Sequence, residues 1–377
     1  MMQKRILGRT GLKVSIVGFG GIPIIALSRD RAEDIVRYSF ERGINYFDTA
    51  RAYGDSEEKI GNALKHIRDQ VVLATKTHQR TKESAARAGL KQSLRNLQTD
   101  RIDIVQLHGI DTEEVLEKAM SSDGSLKALE DAKKEGTVEF IGITGHNPLV
   151  LVKAMKTGKF DTVLVPLNVL DRRAAEELIP LAKELDIGVI IMKPLGGCGA
   201  PLQYPQWGAR FLGKPSVDWP DPSEFVPHFG RDGFERANRS LRFILAHDIA
   251  TVIPGMRSRE EVDHIVKAAS SFKQLTAKEE ADYSLSQFPF KESCRECQKC
   301  MPCPDGVEIP TILKWSTYYT FFSIKKWTQH QYPKLRTRVN SCTECGQCEE
   351  KCPYNLPVIS MLKHAHEILG KPDPAKS

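Results

Sequence analysis

A chain of 377 residues is long for one small domain, and 41% hydrophobic with 27% charged residues suits a globular protein with a large core. The net charge of +6 is too mild to mark a nucleic-acid binder, and no apolar run approaches the roughly 18 residues that cross a bilayer. The opening MMQKRILGRTGLK has basic residues without an apolar signal core behind them, so a cytoplasmic protein is expected, with no membrane or nucleic-acid partner.

The first element, MQKRILGRTGLKV, reads as a hairpin turning at Arg9-Thr10-Gly11. From about residue 13 to 270, short apolar runs then alternate with amphipathic helical stretches. Strands are expected at 13–20, 45–50, 71–77, 102–109, 139–146, 162–168, 188–194 and 250–256. Most are apolar on consecutive positions, as in parallel strands buried on both faces. Helices separate them, among them SRDRAEDIVRYSFERG (with Ser28 as cap and Gly43 as stop), DSEEKIGNALKHI and RRAAEELIPLAKELD. Eight strand–helix pairs predict a (β/α)8 TIM barrel, with the hairpin lying across its N-terminal end. A doubly wound open sheet is the alternative on the same pattern.

Two segments interrupt the alternation. Residues 196 to 234 are rich in proline and aromatics, and Tyr204, Trp207, Phe211 and Trp219 read as part of a lid over the barrel mouth. After a helix at 259–270, TAKEEADYSLSQFPF leads into a cysteine-rich region, which sets a domain boundary near 285. The expected domains are 1–285 and 286–377.

In such barrels the chemistry sits at the C-terminal ends of the strands. Asp48 closes NYFDTA, Lys76 closes VVLATK, His108 closes IDIVQLH, and Tyr53 follows in the loop ARAYGDSE. Each alone has a plain structural use, as cap, solvated strand end, core histidine or packing ring. Together on one rim they form a proton-delivery set. A tyrosine titrates near pH 10, a neighbouring ammonium stabilises its phenolate, and a carboxylate holds the lysine charged. A histidine can hydrogen-bond a carbonyl oxygen. The set suits protonation of a ketone or aldehyde oxygen while a hydride reaches its carbon.

The stretch GINYFDTARAYGDSEEKIGNAL (43–64) resembles the hallmark of the aldo-keto reductases, and LATKTH, DIVQLHG, KRILGRTGLKVSIVGFGG and VIPGMRS are similar too. The resemblance implies an NAD(P)-dependent oxidoreductase acting on a small-molecule carbonyl substrate. Tyr53 would be the general acid/base, Lys76 and Asp48 its tuners, and His108 the substrate-orienting residue. It also implies NADP or NAD bound extended across the mouth by Thr144, Asn168, Lys193, Pro254, Gly255 and Arg257; consistently, no G-x-G-x-x-G follows a strand. The cofactor positions depart from the common pattern. Thr144-Gly145-His146-Asn147 stands where a Ser-Asn pair is usual, and Met192-Lys193-Pro194-Leu195 where an aromatic stacks. Glu261 and Ile265 replace an arginine and an asparagine, leaving Arg257 to take a 2′-phosphate and both cofactors open.

Eight of the nine cysteines lie between 294 and 352. In a chain of this kind, clustering favours metal ligation over disulfides. CTECGQCEEKCP has the spacing C-x2-C-x2-C-x3-C-P of [4Fe–4S] ligation in bacterial ferredoxins, whereas Cys294, Cys297, Cys300 and Cys303 have x2 at the last step. Zinc is the weaker reading. Eight thiolates suffice for two [4Fe–4S] clusters, with one cluster as the alternative. On the ferredoxin analogy the sets cross: Cys294, Cys297, Cys300 and Cys352 hold one cluster, and Cys342, Cys345, Cys348 and Cys303 the other. The aromatic segment between the runs and the tail LPVISMLKHAHEILG have helical spacing, so a small, mainly helical ferredoxin-like domain is expected. CMPCPDGVEIP and CPYNLPV resemble the C-terminal extension of a cluster-containing subgroup of the aldo-keto reductases.

Three functions follow. The first is a carbonyl reductase with structural clusters. The second is an electron-transfer enzyme whose clusters serve a redox protein partner or a second cofactor, although no flavin fingerprint is present. The third, a non-catalytic binding module, is opposed by the intact set Asp48, Tyr53, Lys76 and His108.

Overall fold

The structure is a computed structural model that describes residues 2–77, 81–168, 171–195, 233–276, 294, 298–322 and 325–371. They divide into two compact units: the chain before residue 196 together with 233–275, and the chain from 294 onward. The lid expected at 196–234 lies outside the described residues up to 232, as does the boundary expected near 285.

In the first unit β1 (Lys4–Ile6) and β2 (Lys13–Ser15) form the antiparallel hairpin, with Lys4 opposite Ser15. Its turn is a 3-10 segment, Gly8–Thr10, closed by Gly11 at φ 69°. Leu7 and Val14 of the hairpin are fully buried and pack with Val72, Ile104, Leu164 and Ile190, which plugs the N-terminal end of the barrel interior.

Eight parallel strands follow in chain order: β3 (Phe19–Gly20), β4 (Tyr46–Asp48), β5 (Val72–Lys76), β6 (Ile102–Leu107), β7 (Val138–Thr144), β8 (Thr162–Pro166), β9 (Gly188–Met192) and β10 (Thr251–Val252). The sheet curls until its edges meet. Gly18 N–H donates to Val252 O at 2.8 Å, Val252 N–H to Ile16 O at 3.1 Å, and Gly20 N–H to Pro254 O at 2.9 Å. A Cβ on Gly20 would stand 2.8 Å from the Ile253 carbonyl oxygen, so a side chain there would pry the seam apart. The fold is the (β/α)8 barrel, and the open-sheet alternative is set aside.

Two expected elements divide. The single strand at 13–20 is split between hairpin and barrel, because Ser15 donates its hydroxyl to Val17 O at 2.7 Å and its N–H to Asn45 Oδ1 at 2.7 Å. The helix expected from Arg172 to Asp186 breaks at Glu177 (φ −130°, ψ −43°). Pro180 has no N–H for the Glu176 carbonyl, and its ring crowds that oxygen.

Packed outside the strands are α1 (Arg29–Glu41), α2 (Ser56–Leu64), α3 (Glu83–Leu97), α4 (Glu113–Met120), α5 (Ser125–Lys134), α6 (Pro148–Lys156), α7 (Arg173–Glu176), α8 (Leu178–Glu184), α9 (Gly233–Leu245) and α10 (Arg259–Ser270). The first and last lock together: Tyr38 Oη donates to Asp263 at 2.9 Å, Arg42 pairs with Asp263 at 2.7 Å, and Arg259 pairs with Asp34. Arg5 donates to Leu245 O at 2.9 Å and Ile249 O at 2.8 Å, satisfying carbonyls just where α9 ends.

The second unit is helical among its described residues: α11 (Ile309–Phe322), α12 (Lys325–Gln331), α13 (Gln347–Glu350) and α14 (Val358–Leu369). Ile309, Ile312 and Leu313 of α11 meet Val358, Leu362, Ala365 and Leu369 of α14, the apolar stripes that helical spacing predicts. Asp305 ties the loops before these helices, accepting from Thr343 N–H at 2.7 Å and Thr343 Oγ1 at 2.8 Å. Among the described residues no helix is long and apolar enough to cross a membrane.

Candidate functional sites

Asp48 and Lys76 are the last residues of β4 and β5, and His108 directly follows β6, so parallel neighbours deliver them to one rim. Tyr53 reaches that rim from the turn after β4. Its N–H donates to Ala50 O at 2.9 Å, and Ser56 N–H donates to Tyr53 O at 2.9 Å. Ser56 Oγ accepts from Thr49 Oγ1 at 2.9 Å and donates to Gly21 O at 2.8 Å, pinning the turn to the end of β3.

The four side chains meet. Lys76 forms an ion pair with Asp48 and donates to Thr49 O at 2.7 Å. Its Nζ stands 5.0 Å from the centre of the Tyr53 ring, a cation–π distance. The Tyr53 and His108 rings meet edge-on, 5.7 Å apart at 81°. Asp48 and Lys76 are buried, Tyr53 is 9% exposed, and His108 is half-buried. Burial pushes the Asp48 carboxyl up from its ordinary range, against the pull of Lys76. Burial likewise draws the Lys76 ammonium down, opposed by Asp48 and then by Glu57. Such a pair endures only with its remaining hydrogen bonds filled.

The structure adds residues the motifs did not mark. Gln106 Nε2 donates to Asp48 Oδ2 at 3.0 Å. It lies two residues before His108, on the same strand face, so period-two alternation could have found it. Glu57 is fully buried on α2 and grips Arg51, Thr75 and Asn96.

The expected cofactor residues occupy the same rim at the ends of β7 to β10. Thr144 ends β7, buried, and its carbonyl accepts from Ile110 N–H at 2.8 Å. Asn168 links two loops, donating to Lys193 O at 3.0 Å and accepting from Asp171 N–H at 2.9 Å, with Lys193 at φ 56°. Pro254 and Gly255 run beside Gly20 at the barrel seam. A Cβ on Gly255 would lie 2.2 Å from Pro23 Cγ. Arg257 donates its N–H to Glu261 Oε2 at 2.7 Å, and its guanidinium stands 3.7 Å from Glu261 Oε1. Ser258 caps α10 by accepting from Glu261 N–H at 3.1 Å. A guanidinium beside a helix N-terminus is a donor set that fits a phosphate, here shared with a carboxylate.

In the second unit seven thiols are described, and Cys297 and the isolated Cys198 lie outside the described residues. Among the described residues no three His, Cys, Asp or Glu groups converge as on a single ion. The thiols instead border two clefts. Cys303, Cys342, Cys345 and Cys348 border the first; Cys294 and Cys352 border the second; Cys300 borders both. Cys303 therefore faces the later run and Cys352 the earlier one. Thiols around apolar walls of Val307, Ile309, Leu313, Leu356 and Leu362 fit a polyatomic iron–sulfur cluster in each cleft.

The chain joins a barrel with a polar rim to a helical unit lined by cysteines. Residues 17–283 match the family described as aldo/keto reductase, and residues 293–357 match a 4Fe-4S dicluster domain. L-galactose dehydrogenase of Arabidopsis thaliana is 31% identical over 328 residues, covering 81% of this chain and 98% of its own. The uncharacterized oxidoreductase YqkF of Bacillus subtilis is 29% identical, covering 74% and 94%. The solved structure of aldo-keto reductase AKR11C1 from Bacillus halodurans (holo form) superposes with a TM-score of 0.60 at 29% identity, covering 75% and 95%. The chain belongs to the aldo/keto reductase family, and it carries a C-terminal 4Fe-4S dicluster domain.

Proposed function

We propose that the protein is an NAD(P)H-dependent reductase of aldehydes or ketones in the cytoplasm, with Tyr53 as proton donor. One observation carries the reading: Lys76, buried and paired with Asp48, stands over the Tyr53 ring while His108 flanks it. Thr144, Asn168, Lys193, Pro254, Gly255 and Arg257 would hold a reduced nicotinamide along the rim, which would supply a hydride when bound. Tyr53 Oη then gives its proton to the carbonyl oxygen, and the Lys76 ammonium stabilises the phenolate left behind. Asp48, held by Gln106, keeps Lys76 charged and oriented. His108 hydrogen-bonds the same oxygen and fixes its direction.

The thiols are proposed to hold two [4Fe–4S] clusters. Cys303, Cys342, Cys345 and Cys348 take one, and Cys294, Cys297, Cys300 and Cys352 the other, within a domain beginning near 286. The two clefts support this division. Clusters so bound supply one-electron capacity. The exposure of Cys345 favours a second reading, in which that cluster exchanges electrons with a redox protein partner.

The test is anaerobic. The protein is purified with iron and sulfide intact and mixed with NADPH or NADH, and nicotinamide and cluster absorbance are followed together. Carbonyl-dependent nicotinamide oxidation without bleaching of the clusters supports the reductase with structural clusters; bleaching without carbonyl reduction supports the electron outlet.

A further inference from the structure

Glu57 sits on α2, outside the barrel wall, with none of its surface exposed. A carboxylate so buried is strongly disfavoured unless its oxygens are filled. Here Thr75 Oγ1 donates to Oε1 at 2.8 Å, Asn96 Nδ2 donates to Oε2 at 3.0 Å, and the Arg51 guanidinium closes an ion pair. Two of these donors adjoin the rim. Thr75 precedes Lys76 on β5, and Arg51 lies two residues before Tyr53 and donates its N–H to Lys76 O at 3.1 Å. One buried carboxylate thus ties the strand end bearing Lys76 to the turn bearing Tyr53.

We propose that Glu57, with Arg51 as its partner, is a positioning residue for Asp48, Lys76 and Tyr53, a role that rests on the proton-donor reading of Tyr53. Asp48 from β4, the Thr49 carbonyl and the Tyr53 ring contact Lys76, Glu57 from α2 reaches it through Thr75 and Arg51, Gln106 of β6 reaches it through Asp48, and His108 flanks Tyr53. Asp48 and Glu57 balance Lys76 and Arg51, a neutral quartet. Removing the Glu57 charge leaves a surplus cation, which favours phenolate; removing the Arg51 charge leaves a surplus anion, which disfavours it.

The test is an NMR titration of the full-length protein labelled at tyrosine 13Cζ, without substrate, the Tyr53 signal being assigned by its loss in Tyr53→Phe. Glu57→Gln is expected to move the Tyr53 ionisation to lower pH and Arg51→Gln to higher pH, by about half a unit or more each. The double variant returns toward the parent, and the basic limb of the kcat profile moves with each. Titrations that stay in place, or move in the same direction, overturn the positioning role however far the rate falls. Should Glu57→Gln fail to fold, Arg51→Gln decides alone, since its side chain is partly exposed: an upward shift supports the role and an unmoved titration overturns it. Unimpaired carbonyl reduction by Tyr53→Phe would remove the proton-donor reading and this role with it, whereas lost reduction with unmoved titrations removes this role alone.

Discussion

Lys76 stands 5.0 Å above the Tyr53 ring although the two side chains arrive from different elements, one a strand end and the other a turn. The lysine is buried, so its charge there depends on Asp48. Asp48→Asn leaves that ammonium unpaired in a dry site, which is expected to cost about 3–5 kcal/mol of stability. Asp48→Asn with Lys76→Met is expected to cost less than the sum of the single changes. Chemical denaturation of the three variants measures both, and strict additivity would refute a coupled pair.

His247, just after α9, provides a pH signature of stability. Burial lowers its pKa from 6.5, two backbone hydrogen bonds including that to Phe243 O (2.9 Å from Nδ1) oppose this, and Arg172 lowers it further. The unfolded chain therefore takes up this proton before the folded one does. Stability from this site is complete above about pH 6.5 and declines as pH falls below it. The unfolding free energy of the parent, measured from pH 7.5 to 5, should fall relative to that of His247→Phe as the solution is acidified. Parallel curves would contradict the assignment.

Much of the barrel was legible because buried parallel strands are apolar on consecutive positions and their polar residues stand at the C-terminal ends, as Asp48, Lys76 and His108 do. The divided strand at 13–20 was not, because the bonds that bend it join Ser15 to Asn45, thirty positions away. The break at Glu177 follows from Pro180, which was in plain view. Ser28 sits at the cap position of α1, yet its hydroxyl makes no capping bond; its carbonyl takes the Ala32 N–H instead. Glu57 looked like one more charge on an amphipathic helix. Its burial is set by Thr75 and Asn96 on other elements, which spacing along α2 cannot reveal.

The cysteine partition makes a separate prediction. Cys303→Ser should remove the cluster of the cleft bordered by Cys342, Cys345 and Cys348, leaving about half the iron and one unaltered EPR signal on reduction. Cys352→Ser should spare the other half. Cys345→Ser should lose the same signal as Cys303→Ser; loss of different signals in these two variants would mean that the ligand sets do not cross.

Glu261 shares Arg257 with any phosphate bound there. Glu261→Gln is expected to tighten NADPH binding severalfold and to leave NADH nearly unchanged, and Arg257→Ala to weaken NADPH the more of the two. Titration by nicotinamide fluorescence reads both, and equal effects on the two cofactors would move the phosphate site elsewhere.

The most direct test of the whole account is the rate of NAD(P)H-dependent carbonyl reduction by anaerobically purified parent and Tyr53→Phe proteins with equal iron content and melting temperature. A positioned proton donor contributes about 10²–10⁴-fold, so the variant should lose a factor of that order while still binding the nicotinamide. Reduction at the parent rate in Tyr53→Phe would contradict the account.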